Sequence, residues 1–506
     1  MKHERRSRGL LLAGLLELAL SASCAGNLSL RGRPDPELWS QVDTPHFTLA
    51  TNMDPDAALD VARDLERTRA GMLAAAWDGG SSPRGRTRVV AFARHKELER
   101  YIGNATLSGL ASRDSMQEPL IAFTPGRQSS VPDVIVHELA HDLSHWYMPL
   151  QPPWFAEGLA VYLETLRCAP ESGLTTMGEP SSSSSEWLGR TGVFLRSSSL
   201  FAASTALHED PRQQASFYAS SWLLVHYLMD REAEAFGRFQ LGLTRLTPWK
   251  QAWDDAFPGL RFSDLDDRVV AYARQGHFLV LSGNVQLPNI EPHLQTLHSA
   301  DVHGILARLS QQLAPEQSER ELKEALRLDP NQLDALVTQY RTATGDAQRG
   351  EIARRAVAQH PESADAWLLA AATEPAGDTR YQALQRAEKL ADAHPGVERL
   401  LAEEELRRGH ARTALEHTGL ALRRAWTTPE LLAVHVAALA AEHECIAAEW
   451  LAISAENLLP ADCQLRPSVG GEPLGCGELV RRTWQSLRGT CNAGPLRTTR
   501  NGGGPG

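Results

Sequence analysis

Short stretches of alternating apolar and polar residues are interspersed with longer stretches of helical periodicity over residues 38–126. Strict alternation is typical of strands, and an apolar residue every three or four positions is typical of helices. The pattern predicts strands at 46–51, 86–94 and 119–124, and helices at 55–77, 96–102, 132–147, 154–167, 213–235 and 264–276. Short strands with intervening helices, followed by long helices, favour an α+β domain, which we expect to cover residues 38–280.

The chain beyond residue 299 is rich in Ala, Leu, Glu and Arg and has helical periodicity throughout. Prolines punctuate it at spacings of 31, 34 and 34 residues, at Pro330, Pro361, Pro395 and Pro429. A period near 34, with a proline closing each unit, resembles tetratricopeptide (TPR) repeats. We therefore expect an all-α, TPR-like domain over 299–460, and an irregular helical bundle is the alternative.

The N-terminus has the pattern of a bacterial export signal, with basic residues, an apolar run at 10–20 and then small residues. Cys24 follows and resembles the lipid-accepting cysteine of a lipoprotein signal. Plain secretion and an uncleaved anchor are the alternatives. We expect residues 1–24 to be the signal, residues 25–37 a polar tether, and the protein to reside in the bacterial cell envelope, held at the membrane by a lipid on Cys24.

Composition and charge indicate which partners are unexpected and whether the cysteines form disulfides. The 506 residues carry a net charge of −11 and no long basic run, so nucleic acid is not an expected partner. In an exported chain without a C-x-x-C pair, the four clustered cysteines of the C-terminal region predict two disulfides, whose pairing stays open. These cysteines are Cys445, Cys463, Cys476 and Cys491. We expect a Cys-containing segment at 461–491 and a disordered tail at 492–506.

The candidate chemistry lies at His137-Glu138-Leu-Ala-His141, an H-E-x-x-H spacing. On a helix the two histidines lie one turn apart on the same face, so both imidazoles can reach one zinc ion, and Glu138 lies beside them to accept a proton. A third ligand is required. His145 lies about 12 Å along the helix from His137, too far to share the ion, so we expect it to support the site or face solvent.

Glu157 is the remaining candidate for the third ligand. It lies in Pro-Trp-Phe-Ala-Glu157-Gly-Leu-Ala, after prolines that force a turn between two helices. A second helix folding back antiparallel would bring this carboxylate opposite the histidine pair. Two His, one Glu and an open fourth position are the arrangement of a catalytic zinc ion, because a structural site closes all four positions.

The two motifs together resemble the gluzincin metallopeptidases, especially the bacterial peptidase MA-like group, and the second is similar to the W-x-x-E-G-x-A element of the aminopeptidase N family. The resemblance is specific over 132–167. It implies a zincin-like fold for the α+β domain, one Zn²⁺ per chain held by His137, His141 and Glu157, and Glu138 as the general base that hydrolyses a peptide bond.

The resemblance also implies an oxyanion-stabilising tyrosine some sixty residues after the third ligand. Tyr218 matches this position, in a Y-x-x-S-W element, and His226 and Tyr227 are alternatives. Separately, Glu164 lies two turns beyond Glu157 on the same helical face, where it could accept the free N–H of a zinc-bound histidine.

Two further acidic residues, Asp133 and Asp142, compete with Glu164 for this supporting role. No G-x-M-E-N exopeptidase motif precedes the zinc helix, so we expect an endopeptidase acting on a peptide or protein substrate. Residues 109–113 and 119–124 would form an edge strand along the cleft. The helical repeats would recruit a protein partner. The alternatives are a non-catalytic envelope scaffold that acts through its repeats, and a hydrolase of a non-peptide bond.

Overall fold

The computed structural model describes residues 39–77, 81–104, 109–112, 116–125, 133–181, 194–203, 210–425, 427–459, 464–465 and 474–492. The predicted signal with Cys24, the tether, Cys463 and the tail beyond residue 492 lie outside these residues. The chain is a mixed α+β protein with a small sheet and a mostly helical C-terminal half, as the sequence predicts at this level. In the described part of the chain, no helix is both long and apolar enough to cross a membrane.

A six-stranded sheet lies at the centre of the N-terminal part. Its strands are β1 (Ser40–Asp43), β2 (Phe47–Thr51), β3 (Thr87–Ala91), β4 (Gly109–Ser112), β5 (Leu120–Phe123) and β9 (His293–Thr296). They lie in the order β4-β5-β3-β2-β1-β9. The strands β2, β3 and β5 are mutually parallel, whereas β1, β4 and β9 run antiparallel to their neighbours. A second sheet joins β6 (Arg167–Cys168), β7 (Leu174–Met177) and β8 (Leu281–Asn284).

Alternation along the strands divides the side chains of the main sheet between two layers. Ile121 and Phe123 of β5 point into a core shared with α1 (Pro55–Ala76) and α3 (Asp133–Tyr147). Leu120 and Ala122 point to the opposite face, covered by α2 (His95–Ile102) and α10 (Ser299–Ser310). The first core extends into α4 (Pro153–Leu163), α5 (Ser197–Ala202), α6 (Pro211–Arg231), α7 (Ala233–Thr244), α8 (Trp249–Ala256) and α9 (Phe262–Gln275).

The C-terminal half is a series of helices, packed on their neighbours in the chain, that begins with α10. The further helices are α11 (Pro315–Leu328), α12 (Leu333–Thr342), α13 (Asp346–Gln359), α14 (Ala364–Thr373), α15 (Asp378–Glu388), α16 (Pro395–Arg407), α17 (Ala411–Arg424), α18 (Pro429–Ala441), α19 (Cys445–Leu458) and α20 (Cys476–Asn492). We call α10–α19 the helical array. Short strands β10 (Gln464–Leu465) and β11 (Leu474–Gly475) pair before α20.

Pro395 and Pro429 begin the first helices of their pairs instead of closing units, because proline fits the first helical turn, where its missing N–H costs nothing. Cys445 and Cys476 are each in a disulfide, whereas Cys168 is free.

The array packs directly on the α+β part. The main sheet also includes a strand after residue 280, where the sequence predicts the α+β domain to end. Strand β9 completes the sheet beyond that residue, and α10 forms part of the second core. Arg88 of β3 pairs with Asp334 of α12 at 2.8 Å. Arg308 of α10 is buried against Asp334 and Asp365, so one ion network joins the sheet to three array helices.

Candidate metal centre

The two motif segments form α3 and α4, which are joined by a short proline-rich turn. Pro152 takes an extended conformation as the N-cap residue of α4, and Pro153 occupies its first turn. Because proline at these positions ends one helix and begins the next, α4 starts beside α3. Glu157, one turn into α4, thereby lies opposite His137 and His141, as the sequence reasoning expects.

Three ligand atoms converge at this crossing. The two histidine Nε2 atoms lie 3.1 Å apart, and each lies 3.4 Å from Oε2 of Glu157. Four zinc ligands at about 2.0–2.1 Å in a tetrahedron are separated from one another by about 3.3 Å. Oε2 of Glu157 is also buried and has no hydrogen-bond partner. A buried carboxylate oxygen without a donor is costly unless a cation contacts it, so the donor set fits a zinc ion.

The electrostatics of the three groups favour positive charge between them. Burial works against a charged His137, but the carboxylates of Glu157 and Glu164 more than offset it and raise its pKa to about 10. Burial likewise works against an ionised Glu157, yet the two histidines lower its pKa to about 2. A metal cation bound by the same three atoms would supply that positive charge.

Among the three carboxylates predicted to compete for the supporting role, Glu164 contacts His137. Its Oε2 lies 3.2 Å from Nδ1 of His137, which directs Nε2 of that ring toward Glu157. Asp142 instead accepts a hydrogen bond from Thr87 Oγ1 at 2.9 Å, beneath the sheet. Asp133 pairs with Arg167 at the surface. The geometry therefore assigns the supporting contact to Glu164.

The metal centre opens into a cleft of about 620 Å³, which is also lined by Glu138, Tyr218 and the edge strand β4. The Tyr218 ring lies 6.2 Å from the ring of His137. Its hydroxyl oxygen accepts a hydrogen bond from Nε2 of Gln214, one turn earlier on α6, at 3.2 Å. Burial first, and then the nearby carboxylate of Glu157, raise the pKa of Tyr218, so the phenol stays protonated as a donor.

The alternatives to Tyr218 lie elsewhere. His226 is buried between the carbonyl oxygen of Gly178 and the hydroxyl of Tyr272. Tyr227 donates to Glu232. Of the three residues, Tyr218 is the one that lines the described cleft together with His137 and Glu157.

The opposite wall of the cleft comes from the helical array, which sequence reasoning missed. It consists of Arg308, Leu309, Gln311, Gln312, Leu313, Arg341 and Thr428. No local signal marks these residues, because they lie far along the chain from the motifs. Gln214 was also missed, although its position one turn before Tyr218 was a usable signal. The expectation for His145 was wrong: it is buried, and its Nε2 contacts the carbonyl of Ala425 in the array at 2.7 Å.

Comparison with known proteins gives no family for the chain. No protein-family model matches it, and the search of curated proteins finds no significant match. The function is therefore inferred from the site itself.

Proposed function

We propose that the protein is a zinc-dependent endopeptidase of the gluzincin type, with a zincin-like fold in its α+β part and TPR-like repeats in its array. The observation that carries the proposal is the convergence of His137, His141 and the donor-free carboxylate oxygen of Glu157. Glu138 and Tyr218 line the same cleft. These five residues supply the ligands, the base and the donor that peptide hydrolysis needs.

Zinc held by the two histidines and Glu157 would act as a Lewis acid, polarising a substrate carbonyl and making water more acidic. The Glu138 carboxylate accepts a proton from the attacking water and passes it to the departing amine. Because the Tyr218 oxygen already accepts from Gln214, its own hydrogen remains to donate to the carbonyl oxygen as negative charge develops. Glu164 holds His137 in the orientation that presents Nε2 to the ion.

The edge strand supports a peptide as the substrate. In the described sheet β4 has one neighbour, β5, and its residues line the cleft. An extended peptide can add to such an edge through backbone hydrogen bonds, which do not depend on its sequence. Glu118 lines the same cleft and could bind a free amino terminus, so peptides with free and acetylated N-termini distinguish exo- from endopeptidase activity.

We propose further that the protein is exported to the bacterial cell envelope and held at the membrane by a lipid on Cys24. The disulfides at Cys445 and Cys476 support export, since disulfides persist in oxidising compartments. A membrane-fraction assay of the full chain against Cys24→Ala tests the anchor. We expect the wild type to sediment with membranes and the variant to be released.

One observation favours a second candidate, a scaffold function of the repeats. A cavity of about 670 Å³ lies between α13 and α14, lined by Arg354, Val357 and Trp367 among others. Concave surfaces of helical repeats bind peptides or helices of other proteins. Such a function makes no use of the metal centre, so the zinc content and the role of Glu138 separate the two candidates.

Zinc per protomer, measured by elemental analysis, tests the site. We expect one zinc in the wild type and a strong loss in Glu157→Ala, since that variant removes one of three ligands. Glu171→Ala is the matched control, because Glu171 is an exposed carboxylate that does not line the cleft. Zinc-free folded protein, or an equal zinc content in both variants, would overturn the proposed site.

A further inference from the structure

Past β4, the cleft is lined by a group of apolar side chains, with polar side chains such as Gln117, Gln311 and Arg341 also lining it. Five of its lining residues form what we call the apolar recess: Ile102, Leu110, Leu120, Leu309 and Leu313. Ile102, Leu120 and Leu309 are buried in the core on the α2 and α10 face of the sheet, and Leu110 packs against it. The recess therefore lies on the face of the sheet opposite α3.

The side-chain directions of β4 connect the recess to the metal centre. Gly109 faces α3, since a Cβ built on it would lie 3.1 Å from Val134 of that helix. Leu110, opposite Ala122 in the ladder, faces the recess. Successive residues of a strand point to opposite faces. A peptide paired with the edge of β4 that has no neighbour in the described sheet would thus alternate its side chains between the metal centre and the apolar recess.

The helical array supplies the outer wall of the recess. Leu309 is near the end of α10, and Leu313 follows in the turn toward α11. This turn packs against the end of α2, where a Cβ on Gly103 would lie 3.0 Å from the carbonyl oxygen of Leu313. Leu313 is nevertheless 49 % exposed, a large apolar side chain held at the border of the cleft.

We infer that the apolar recess is a subsite for an apolar side chain of a peptide lying along β4, and that Leu313 of the helical array is a determinant of its specificity. The inference rests on the proposed function. The occupant is a substrate side chain because the recess is one continuous cavity with Glu138 and the metal ligands. The array would then select peptides at the cleft, besides any partner that it binds elsewhere.

Peptide binding tests the inference without requiring turnover. The zinc-loaded Glu138→Gln chain is titrated into two fluorescein-labelled extended peptides, one with Leu and one with Asn at every second position, and anisotropy gives each Kd. We expect the Leu peptide to bind at least about tenfold more tightly, as hydrophobic pockets discriminate by about 10–200-fold for a single methylene. Adding Leu313→Asp should abolish that preference.

Leu328→Asp is the matched control, since Leu328 is 42 % exposed at the end of α11 and does not line the cleft. It should keep the tenfold preference. An unchanged preference in the Leu313→Asp variant, equal loss in both variants, or no saturable binding would overturn the subsite.

Cleavage by chains that retain Glu138 separates this inference from the proposed function. If the wild type cleaves the Leu peptide and Leu313→Asp cleaves it equally well, the subsite is wrong and the peptidase stands. If Leu313-dependent binding is found but the wild type cleaves neither peptide, the peptidase is wrong and the subsite stands.

Discussion

Gly158 lies in α4, directly after the ligand Glu157, and its Cα faces α6. A Cβ built on it would lie 2.6 Å from Cγ2 of Val225 and closer still to the carbonyl oxygen of Ser221. Carbon atoms in good contact lie about 3.5–4.0 Å apart. Gly158→Ala must therefore push α4 and α6 apart by about 1 Å, on the side where Glu157 and Tyr218 meet.

The change in the free energy of unfolding caused by Gly158→Ala is the sum of two opposing contributions. Overpacking a well-filled core costs about 1–3 kcal/mol, and the contact with backbone places this site at the upper end. Alanine regains about 1 kcal/mol of helix propensity over glycine. We expect a net loss of about 1–2 kcal/mol in the free energy of unfolding. A displacement of about 1 Å at the ligands can lower the rate by about a hundredfold.

Urea unfolding followed by tryptophan fluorescence measures the stability, and competition with a chelator measures the zinc affinity. Gly237→Ala in α7 is the matched control, since apart from its chain neighbours and the backbone of its own helix no described atom lies within 4 Å of its Cβ position. That control should gain about 0.5–1 kcal/mol with unchanged zinc affinity. If Gly158→Ala is as stable as Gly237→Ala and binds zinc equally well, the proposed close packing of α4 on α6 is refuted.

Three other substitutions have separate expected outcomes. Glu164→Gln should weaken zinc binding about 10–100-fold, measured by chelator competition, and unchanged affinity would exclude its orienting role. Tyr218→Phe should keep its zinc but lower kcat about 10²–10³-fold; a fall in zinc content instead would show a structural role. Arg308→Met removes the guanidinium that Asp334 and Asp365 share, leaving Asp334 with Arg88 and Asp365 with His394, and should cost about 3 kcal/mol at pH 7 by urea unfolding. Despite the opposing effect of burial, Arg88 and Arg308 hold the pKa of Asp334 below the usual range, and Arg308 and His394 do the same for Asp365, so this stabilisation is present above about pH 4 and lost on acidification. The gap between wild type and variant should therefore narrow in acid, and a gap independent of pH would contradict this reasoning.

Elements with strong periodicity could be predicted from the sequence nearly to the residue. The helix expected at 55–77 is α1, Pro55–Ala76, and the strand expected at 119–124 is β5, Leu120–Phe123. Strand β9 gave no such signal, because three of its four residues are exposed and it is held by its backbone pairing with β1. A strand without a buried face has no alternation to detect.

The candidate site also has a part that local sequence predicts and a part that it does not. H-E-x-x-H spacing places His137 and His141 on one helical face, and the prolines before α4 predict where Glu157 lies. Which groups face each side of α3 depends on segments that are distant in the chain. The sequence therefore could not predict that Asp142 hydrogen-bonds to Thr87, or that His145 contacts the array. The array wall of the cleft follows from tertiary packing alone and could not be predicted.

Glu138 provides the most direct test of the central claim. Zinc-loaded wild type and Glu138→Gln, matched in zinc content, are incubated with a library of N-terminally acetylated peptides, and products are identified by mass spectrometry. We predict internal cleavage by the wild type and a loss of at least about a hundredfold in the variant, the usual contribution of a general base. Equal cleavage by both chains, or none by a wild type that holds its zinc, would contradict the account.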